Sequence, residues 1–310
     1  MTAPPSVSVV VPVLNGAATI GDLLRALHAQ TSEPPAEEII VVDNGSTDGT
    51  RDIVRRHQVT LLEEPVRGPS AARNRGLRHA RGEVIAHCDA DTVPTRRWLA
   101  ELVAPFRDPA VTLAAGQTLS FPPRTPAERY LGRFQLYDAE KNIARAVLPF
   151  VASMNLAVRR GAALATGWDE AMPTSEDVDF CTRLLRRFPG PIAYAPGAIL
   201  FHRNRNTDDG LRRQAWTYGE GVADTYTRYP DVVPWGASQY AHLARNLLVR
   251  VLRPAWLRAG RAVGLTTADD VEYAHYHRMW TCWFWRGFFS FRRYRACRPA
   301  PLGTPRQGSG

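Results

Sequence analysis

Two aspartates, Asp89 and Asp91, directly follow an apolar stretch at residues 83–87. The stretch predicts a buried strand, so both carboxylates are expected where that strand ends. Carboxylate oxygens suit a divalent cation that leaves coordination positions open for the phosphates of a substrate. Because Asp-x-Asp is also common in solvated turns, the spacing alone leaves both interpretations open.

Strands and helices are predicted to alternate over the first 200 residues or so. Apolar, β-branched runs predict strands at residues 6–14, 38–42, 59–62, 83–87, 111–117, 150–158 and 192–201. Helical spacing predicts helices at residues 19–30, 50–57, 71–80, 94–106, 127–146 and 178–187. This alternation predicts an α/β fold with a mostly parallel sheet flanked by helices. Ligands bind at the carboxyl ends of such strands, so Asp43, which follows the second strand, should face the same crevice as Asp89 and Asp91.

Several function classes are disfavoured by what the sequence lacks. It contains neither the GxGxxG pattern of dinucleotide-binding folds nor the GxxxxGK[ST] pattern of P-loops. The net charge is +9, but no recognisable nucleic-acid-binding module carries it. The four cysteines have no metal-ligand spacing and are interpreted as reduced thiols. With no signal-peptide pattern either, a cytoplasmic protein is predicted, with peripheral association at the inner face of the cell membrane as an open alternative.

Six motifs, in order, resemble those of the inverting family 2 glycosyltransferases, which have a GT-A (Rossmann-like) fold. They lie at residues 10–15 (VVPVLN), 41–50 (VVDNGSTDGT), 68–76 (GPSAARNRG), 89–91 (DAD), 153–160 (SMNLAVRR, with Asn155) and 167–179 (GWDE followed by SEDVD). The resemblance covers roughly residues 6–205 and implies a nucleotide-sugar donor, favouring a UDP-sugar.

The resemblance implies a donor site at the ends of the first strands. The implied nucleotide-sugar-binding residues are Pro12, Val13, Asn15, Asp43, Arg73, Asp89, Ala90 and Asp91. Asp43 would accept a hydrogen bond from uracil, and Arg73 would approach the base or the phosphates. Asp91 would bind Mn2+ or Mg2+ directly, with Asp89 on the ribose or behind the metal. His202, after the last strand, would be a further ligand of the metal or the diphosphate.

The resemblance also implies a catalytic base near residue 177. An inverting transfer needs a carboxylate opposite the leaving group to take the proton of the acceptor hydroxyl. Asp177 matches that position, and Glu176 is the competing candidate. The structural alternative is that Ser175 or Glu176 only caps the helix that follows.

The C-terminal third is predicted to be helical, with helices at residues 212–229, 240–252 and 270–293. We place a catalytic domain at residues 1–206 and a helical region at 207–310. Aromatic residues and arginines alternate in the segment 280–295. This segment is interpreted either as a packed helical cap or as an in-plane helix on an anionic membrane, which would suit a lipid-linked or hydrophobic acceptor. No apolar run is long enough to span a bilayer, which favours single transfer over processive synthesis with export.

The leading hypothesis is a metal-dependent inverting glycosyltransferase that uses a nucleotide-sugar. A sugar-phosphate nucleotidyltransferase is the second class, but the first loop, residues 15–18, has no basic residue for a phosphate. A non-catalytic peripheral membrane protein with this fold is the third, and the set of Asp43, Asp91 and Asp177 argues against it. The sugar, the acceptor and the oligomeric state do not follow from the sequence.

Overall fold

The computed structural model describes residues 5–31, 36–145, 147–172, 174–232, 236–262 and 264–296. For residues 237–239, 242, 246 and 292–296 it describes the backbone alone. The described chain divides into two compact units, one up to Gly210 and one from Leu211 onward.

Eight strands of the described first unit form one sheet. They are β1 (Val7–Val13), β2 (Glu38–Asp43), β3 (Thr60–Glu63), β4 (Val84–His87), β5 (Thr92–Pro94), β6 (Leu113–Ser120), β7 (Leu156–Arg159) and β8 (Ile192–His202). Their order across the sheet is β3-β2-β1-β4-β7-β6-β8-β5. The pairs β3-β2, β2-β1, β1-β4 and β6-β8 are parallel, and β4-β7, β7-β6 and β8-β5 are antiparallel. The predicted α/β class with a mostly parallel sheet is confirmed.

The helices of the first unit cover both faces of this sheet. They are α1 (Ile20–His28), α2 (Thr50–Val54), α3 (Pro69–His79), α4 (Trp98–Val103), α5 (Pro126–Phe134), α6 (Ala139–Ile143), α7 (Arg160–Thr166) and α8 (Glu176–Arg187). Two short 3-10 turns lie at Ala104–Arg107 and Ser153–Asn155. Alternate residues of β1 pack on opposite faces: Val9 and Val11 join one buried cluster and Val10 the other. This two-sided burial explains why the first strand is apolar at nearly every position.

Three predicted elements of the first unit were wrong, each for a local reason. The single helix predicted at residues 127–146 is two helices, because α5 ends at Gln135 in a left-handed conformation (φ 51°) and α6 starts anew with Asp138 as its cap. The strand predicted at residues 150–158 is a 3-10 turn followed by the short β7. The helix predicted to begin at Pro94 begins at Trp98, because Thr92–Pro94 pair with β8 instead.

The second unit is helical where it is described, as predicted. Its helices are α9 (Asp208–Arg228, whose first residues precede the unit boundary), α10 (Ala237–Ala262) and α11 (Ala268–Ala296). The predicted end of the second helix at residue 252 was wrong, because α10 continues through Pro254 to Ala262. The backbones of α9 and α11 approach closely: a Cβ on Gly219 would lie 1.9 Å from the carbonyl oxygen of Phe284. On α11, Trp280 and Phe288 are buried. The described part of the aromatic segment therefore packs within the unit; the side chains at 292–295 lie outside the described residues.

None of the described helices combines the length and the apolar character needed to cross a membrane.

Candidate active site

Three loops meet at the carboxyl ends of β1, β2 and β4. Val13 and Asp43 are register partners, so β1 and β2 end level with each other. The backbone N–H of Asn15 donates to Ser46 Oγ (2.8 Å), and Asn15 Oδ1 accepts from the backbone N–H of Thr47 (2.9 Å). Asn15 has a φ of 52°, a left-handed conformation that asparagine tolerates better than most residues. The two loops are thus locked together by hydrogen bonds.

Gly16 connects these loops with the Asp-Ala-Asp turn after β4. A Cβ on Gly16 would lie 2.6 Å from Val13 Cγ2 and 3.5 Å from the Cβ of Ala90. The backbone N–H of Gly16 also donates to Thr50 Oγ1 (2.9 Å). The predicted donor-site positions on the β1, β2 and β4 loops are therefore neighbours in space. The hydroxyl residues that lock them were not among the predicted site residues, although their clustering after Asp43 is visible in the sequence.

Asp43 has one carboxylate oxygen engaged and one without a partner. Its side chain is 1% exposed. Oδ2 accepts from the backbone N–H of Ser46 (3.1 Å) and lies 3.9 Å from Arg51 Nε. Oδ1 is buried and has no hydrogen-bond partner among the described residues. Since a buried acceptor without a partner is unfavourable, this oxygen is suited to receive a donor from a ligand.

Asp91 and His202 form the part of the site that could hold a metal ion. Pairing of β5 with β8 places Thr92 opposite His202, and Asp91 Oδ2 lies 3.7 Å from His202 Nε2. Burial raises the pKa of Asp91; His202 opposes this shift and the neighbouring Asp89 adds to it. No group of three or more His, Cys, Asp or Glu side chains that could hold a metal occurs in the described part of the chain. Mg2+ is usually held by one or two carboxylates of the protein together with phosphates of the substrate. Asp91 can supply such a carboxylate, with His202 beside it.

Arg73 lies between Asp89, in the turn after β4, and Glu176, at the start of α8. Its guanidinium is buried and donates from Nη2 to Asp89 Oδ1 (3.0 Å) and from Nη1 to Glu176 Oε1 (2.9 Å). The Cζ atom of the guanidinium also lies 5.0 Å from the centroid of the Trp168 ring. Burial disfavours the charge, but Asp89 and Glu176 outweigh it and raise the pKa of Arg73. Each terminal nitrogen has one carboxylate partner, and the buried Nε has no hydrogen-bond partner among the described residues. That Arg73 approaches the base or the phosphates stays a prediction.

The helix α3 holds Arg73 in this position. Gly68, with a φ of 132°, and Pro69 start the helix. Gly76 lets it lie against the sheet, because a Cβ there would be 2.4 Å from Val10 Cγ1. Asn74 Nδ2 donates to the carbonyl oxygen of Trp168 (2.9 Å), whose backbone N–H donates to Asn74 Oδ1 (2.8 Å). The motif at residues 68–76 therefore anchors the segment that precedes α8.

Asp177 and Glu176 differ sharply in their surroundings. The helix α8 begins at Glu176, and the side chain of Ser175 makes no capping hydrogen bond. Glu176 is held by Arg73, whereas Asp177 accepts the backbone N–H groups of Val178 (2.9 Å) and Ser153. Burial, with the nearby charge of Glu176, raises the pKa of Asp177 to about 7. The side chain is still partly accessible to solvent. Asp177 is thus the carboxylate of this pair that can exchange a proton near neutral pH.

Two further polar residues near the site are structural. Asn155 accepts from Trp98 Nε1 (2.8 Å) and donates to the carbonyl oxygens of Gln117 (3.0 Å) and Ala198 (3.2 Å), which ties β6 to β8. His87 is fully buried, and burial together with Arg73 lowers its pKa to about 3, so its imidazole is neutral. The rings of His87 and Trp168 make a T-shaped contact, with their centroids 5.5 Å apart. In the sequence, His87 is visible only as a polar residue in an apolar strand.

The chain is similar to known proteins in both sequence and fold. The family model described as "Glycosyl transferase family 2" matches residues 8–165. The pre-mycofactocin glycosyltransferase of Mycobacterium tuberculosis is 34% identical over 239 residues, which cover 73% of this chain and 48% of that protein. Glycosyltransferase AglE of Haloferax volcanii is 35% identical over 159 residues, or 47% of this chain and 52% of that protein. The chain thus spans about half the length of these curated relatives.

Solved structures with the same fold include two nucleotide complexes. The mannosyltransferase PcManGT from Pyrobaculum calidifontis, in complex with GDP-Man and Mn2+, matches with a TM-score of 0.61 and 23% identity, covering 91% of this chain and 87% of that one. Glucosyl-3-phosphoglycerate synthase from Mycobacterium tuberculosis, in complex with Mn2+, UDP and glucosyl-3-phosphoglycerate, matches with a TM-score of 0.55 and 21% identity, covering 72% and 80%. At these identities the likeness shows the GT-A fold.

Proposed function

Because the chain belongs to glycosyl transferase family 2, we propose that it moves one sugar from a UDP-sugar to an acceptor hydroxyl with inversion at the anomeric carbon. The observation that carries the proposal is the geometry around Arg73. A single buried guanidinium joins Asp89, on the donor-side turn, to Glu176, the neighbour of Asp177. Family membership leaves the nucleotidyltransferase and the non-catalytic alternatives without support.

The nucleotide base would be recognised by Asp43. Its buried Oδ1 needs one donor, and the single imide N–H of uracil supplies one. Guanine presents two adjacent donors, but the second oxygen of Asp43 already accepts from Ser46. Pro12, Val13 and Asn15 would form the wall beside the base. The solved complex of glucosyl-3-phosphoglycerate synthase with UDP supports this choice, while the GDP-Man complex of PcManGT makes GDP the competitor to be tested.

Asp91 and His202 would hold Mn2+ or Mg2+, with Asp89 and Ala90 lining the same turn. When bound, the ion would neutralise charge on the diphosphate as it leaves. Asp89 is fixed by Arg73 and would therefore meet the ribose or support the metal site from behind. The presence of Mn2+ or Mg2+ in solved structures of this fold supports the assignment.

Asp177 would act as the general base. The acceptor oxygen forms a bond to the anomeric carbon while its proton passes to the carboxylate of Asp177. The bond from that carbon to the diphosphate breaks, and its electron pair leaves with the nucleotide. A pKa of about 7 lets Asp177 accept this proton at neutral pH. Glu176 is the weaker candidate, because its carboxylate is already held by Arg73.

Calorimetric titration of UDP, GDP and dTDP, with and without Mn2+, tests the donor site. We expect metal-dependent binding of UDP. This binding should be lost in Asp43→Asn, which replaces one of the two acceptor oxygens by an amide nitrogen at nearly constant side-chain size. Glu63→Gln is the matched control, since Glu63 ends the neighbouring strand and its side chain is 60% exposed. Preference for GDP, or unchanged UDP affinity in Asp43→Asn, would reject this account of the donor.

A further inference from the structure

One face of α10 carries large apolar side chains that nothing in the described chain covers. Leu248 is 62% exposed, Leu252 54% and Trp256 82%. These residues are four apart, so they follow one another along a single face of the helix. The opposite face, at Leu243 and Pro254, is buried. Single exposed apolar residues are normal in proteins, but a run of this kind marks an interaction surface.

The charges on α10 are all of one sign. The helix has five arginines, at positions 245, 250, 253, 258 and 261, and no acidic residue. Arg253, Arg258 and Arg261 are exposed. Successive helical residues are 100° apart, which puts Arg258 and Arg253 on opposite sides of the apolar face. Apolar residues bordered by arginines, with an exposed tryptophan, are typical of a helix that lies in the plane of a membrane surface.

We infer that α10 binds the surface of an anionic lipid bilayer, with Leu248, Leu252 and Trp256 inserted below the headgroups. Arg253 and Arg258 would stay at headgroup level and contact the lipid phosphates. The aromatic segment of α11 is less suited to this role where it is described, because Trp280 and Phe288 are buried. This inference rests on the exposed surface of the second unit and does not depend on sugar transfer.

Charge favours a lipid surface over a second copy of the chain as the partner. In a two-fold dimer the same surface of each copy would meet. Arg253 and Arg258, which border the apolar face, would then meet the same arginines of the other copy, with no acid on either helix to compensate. An anionic bilayer offers both the apolar layer and the opposite charge. It would also bring a lipid-linked acceptor to the protein, if the proposed transfer uses one.

Vesicle flotation of the full chain tests the inference. We expect binding to vesicles of phosphatidylcholine with phosphatidylglycerol, little binding to phosphatidylcholine alone, and weaker binding at high salt. Replacing Leu248, Leu252 and Trp256 by serine should weaken binding at least tenfold. Leu164→Ser is the matched control, because Leu164 is 42% exposed on α7 in the other unit.

A second pair of variants isolates the charge. The double change of Arg253 and Arg258 to glutamine should weaken binding to anionic vesicles by about fivefold per arginine. The control double variant changes two exposed arginines of the first unit, Arg56 and Arg78, and removes the same net charge.

Circular dichroism and thermal unfolding verify that each variant is folded. Three results would overturn the inference: no binding to anionic vesicles, equal losses in the α10 and control variants, or a dimer in solution that the α10 serine variant dissociates.

Discussion

Replacement of Asp177 by asparagine should remove transfer and yet stabilise the protein at neutral and alkaline pH. The proposed base is lost, so we expect kcat to fall by about 100-fold to 10000-fold, the usual range for general-base catalysis. Donor binding should be unchanged, because the proposed role of Asp177 is toward the acceptor. The unusual part of the prediction is the gain in stability, which follows from the raised pKa of this carboxyl group.

The magnitude follows from the shift in the pKa of Asp177, from 3.8 to about 7. At pH values well below 3.8 the carboxyl is protonated in both the folded and the unfolded chain, and its burial does not lower the free energy of unfolding. As the pH rises to about 7, the unfolded chain loses this proton more readily than the folded chain, so the free energy of unfolding decreases. Three pKa units correspond to about 4 kcal/mol, and solvent access to the side chain reduces this to roughly 2 kcal/mol. Asparagine carries no charge and escapes the penalty above pH 7.

Urea unfolding at pH 4.5 and pH 8 measures the effect in metal-free buffer. Asp177→Asn should exceed the wild type by about 2 kcal/mol at pH 8 and by much less at pH 4.5. Glu176→Gln is the informative control: it deprives buried Arg73 of one charged partner and should destabilise the protein at pH 8 by about 3 kcal/mol. An Asp177→Asn variant that is no more stable than the wild type at pH 8 would refute the burial argument, and retained turnover would move the base to Glu176.

Three further predictions concern the metal, the arginine bridge and the packing of α3. Asp91→Asn should abolish the effect of Mn2+ on UDP affinity in calorimetry, and a variant with normal metal dependence would remove Asp91 from the metal site. Arg73→Lys should lower kcat much more than exposed Arg75→Lys does, because a lysine ammonium cannot fork between two carboxylates; equal kcat values in the two variants would exclude a positioning role. Gly76→Ala should lower the free energy of unfolding by about 1–2 kcal/mol despite the better helix propensity of alanine, since its Cβ would lie 2.4 Å from a methyl carbon of β1. Gly161→Ala on α7, where nothing lies within 4 Å of the added atom, should slightly raise the free energy of unfolding. Changes in this free energy of the same sign in both glycine variants would contradict the packing argument.

The strand ends that form the candidate donor site could be predicted before the fold was known. Apolar runs ending in Asp43 and in Asp89–Asp91 predict parallel strands that present carboxylates at one edge of a sheet. This works because the burial of a strand and the polar residue that ends it are both local properties. The family resemblance then links those positions to a nucleotide-sugar, and the match to the family model confirms the membership.

The prediction for the C-terminal aromatic segment shows where local patterns stop being informative. Aromatic residues and arginines alternate in α11, and apolar residues and arginines alternate in α10. By sequence alone, both helices are therefore candidates for binding a membrane surface. Which apolar face is covered depends on which helices pack together. In the described structure α11 buries Trp280 and Phe288, while α10 leaves Leu252 and Trp256 exposed.

The sequence by itself determined the fold class, the family and the positions of the donor-side carboxylates, because these depend on short-range periodicity and on motifs. Only the tertiary structure decided the surroundings of each side chain. Arg73 meets Glu176, which is 103 residues away, and Asp91 meets His202 only because a three-residue strand pairs with β8. Two adjacent acids therefore have different environments. Glu176 is held by an arginine, whereas burial raises the pKa of Asp177 to about 7. Such contacts arise from how distant surfaces pack, and no local spacing encodes them.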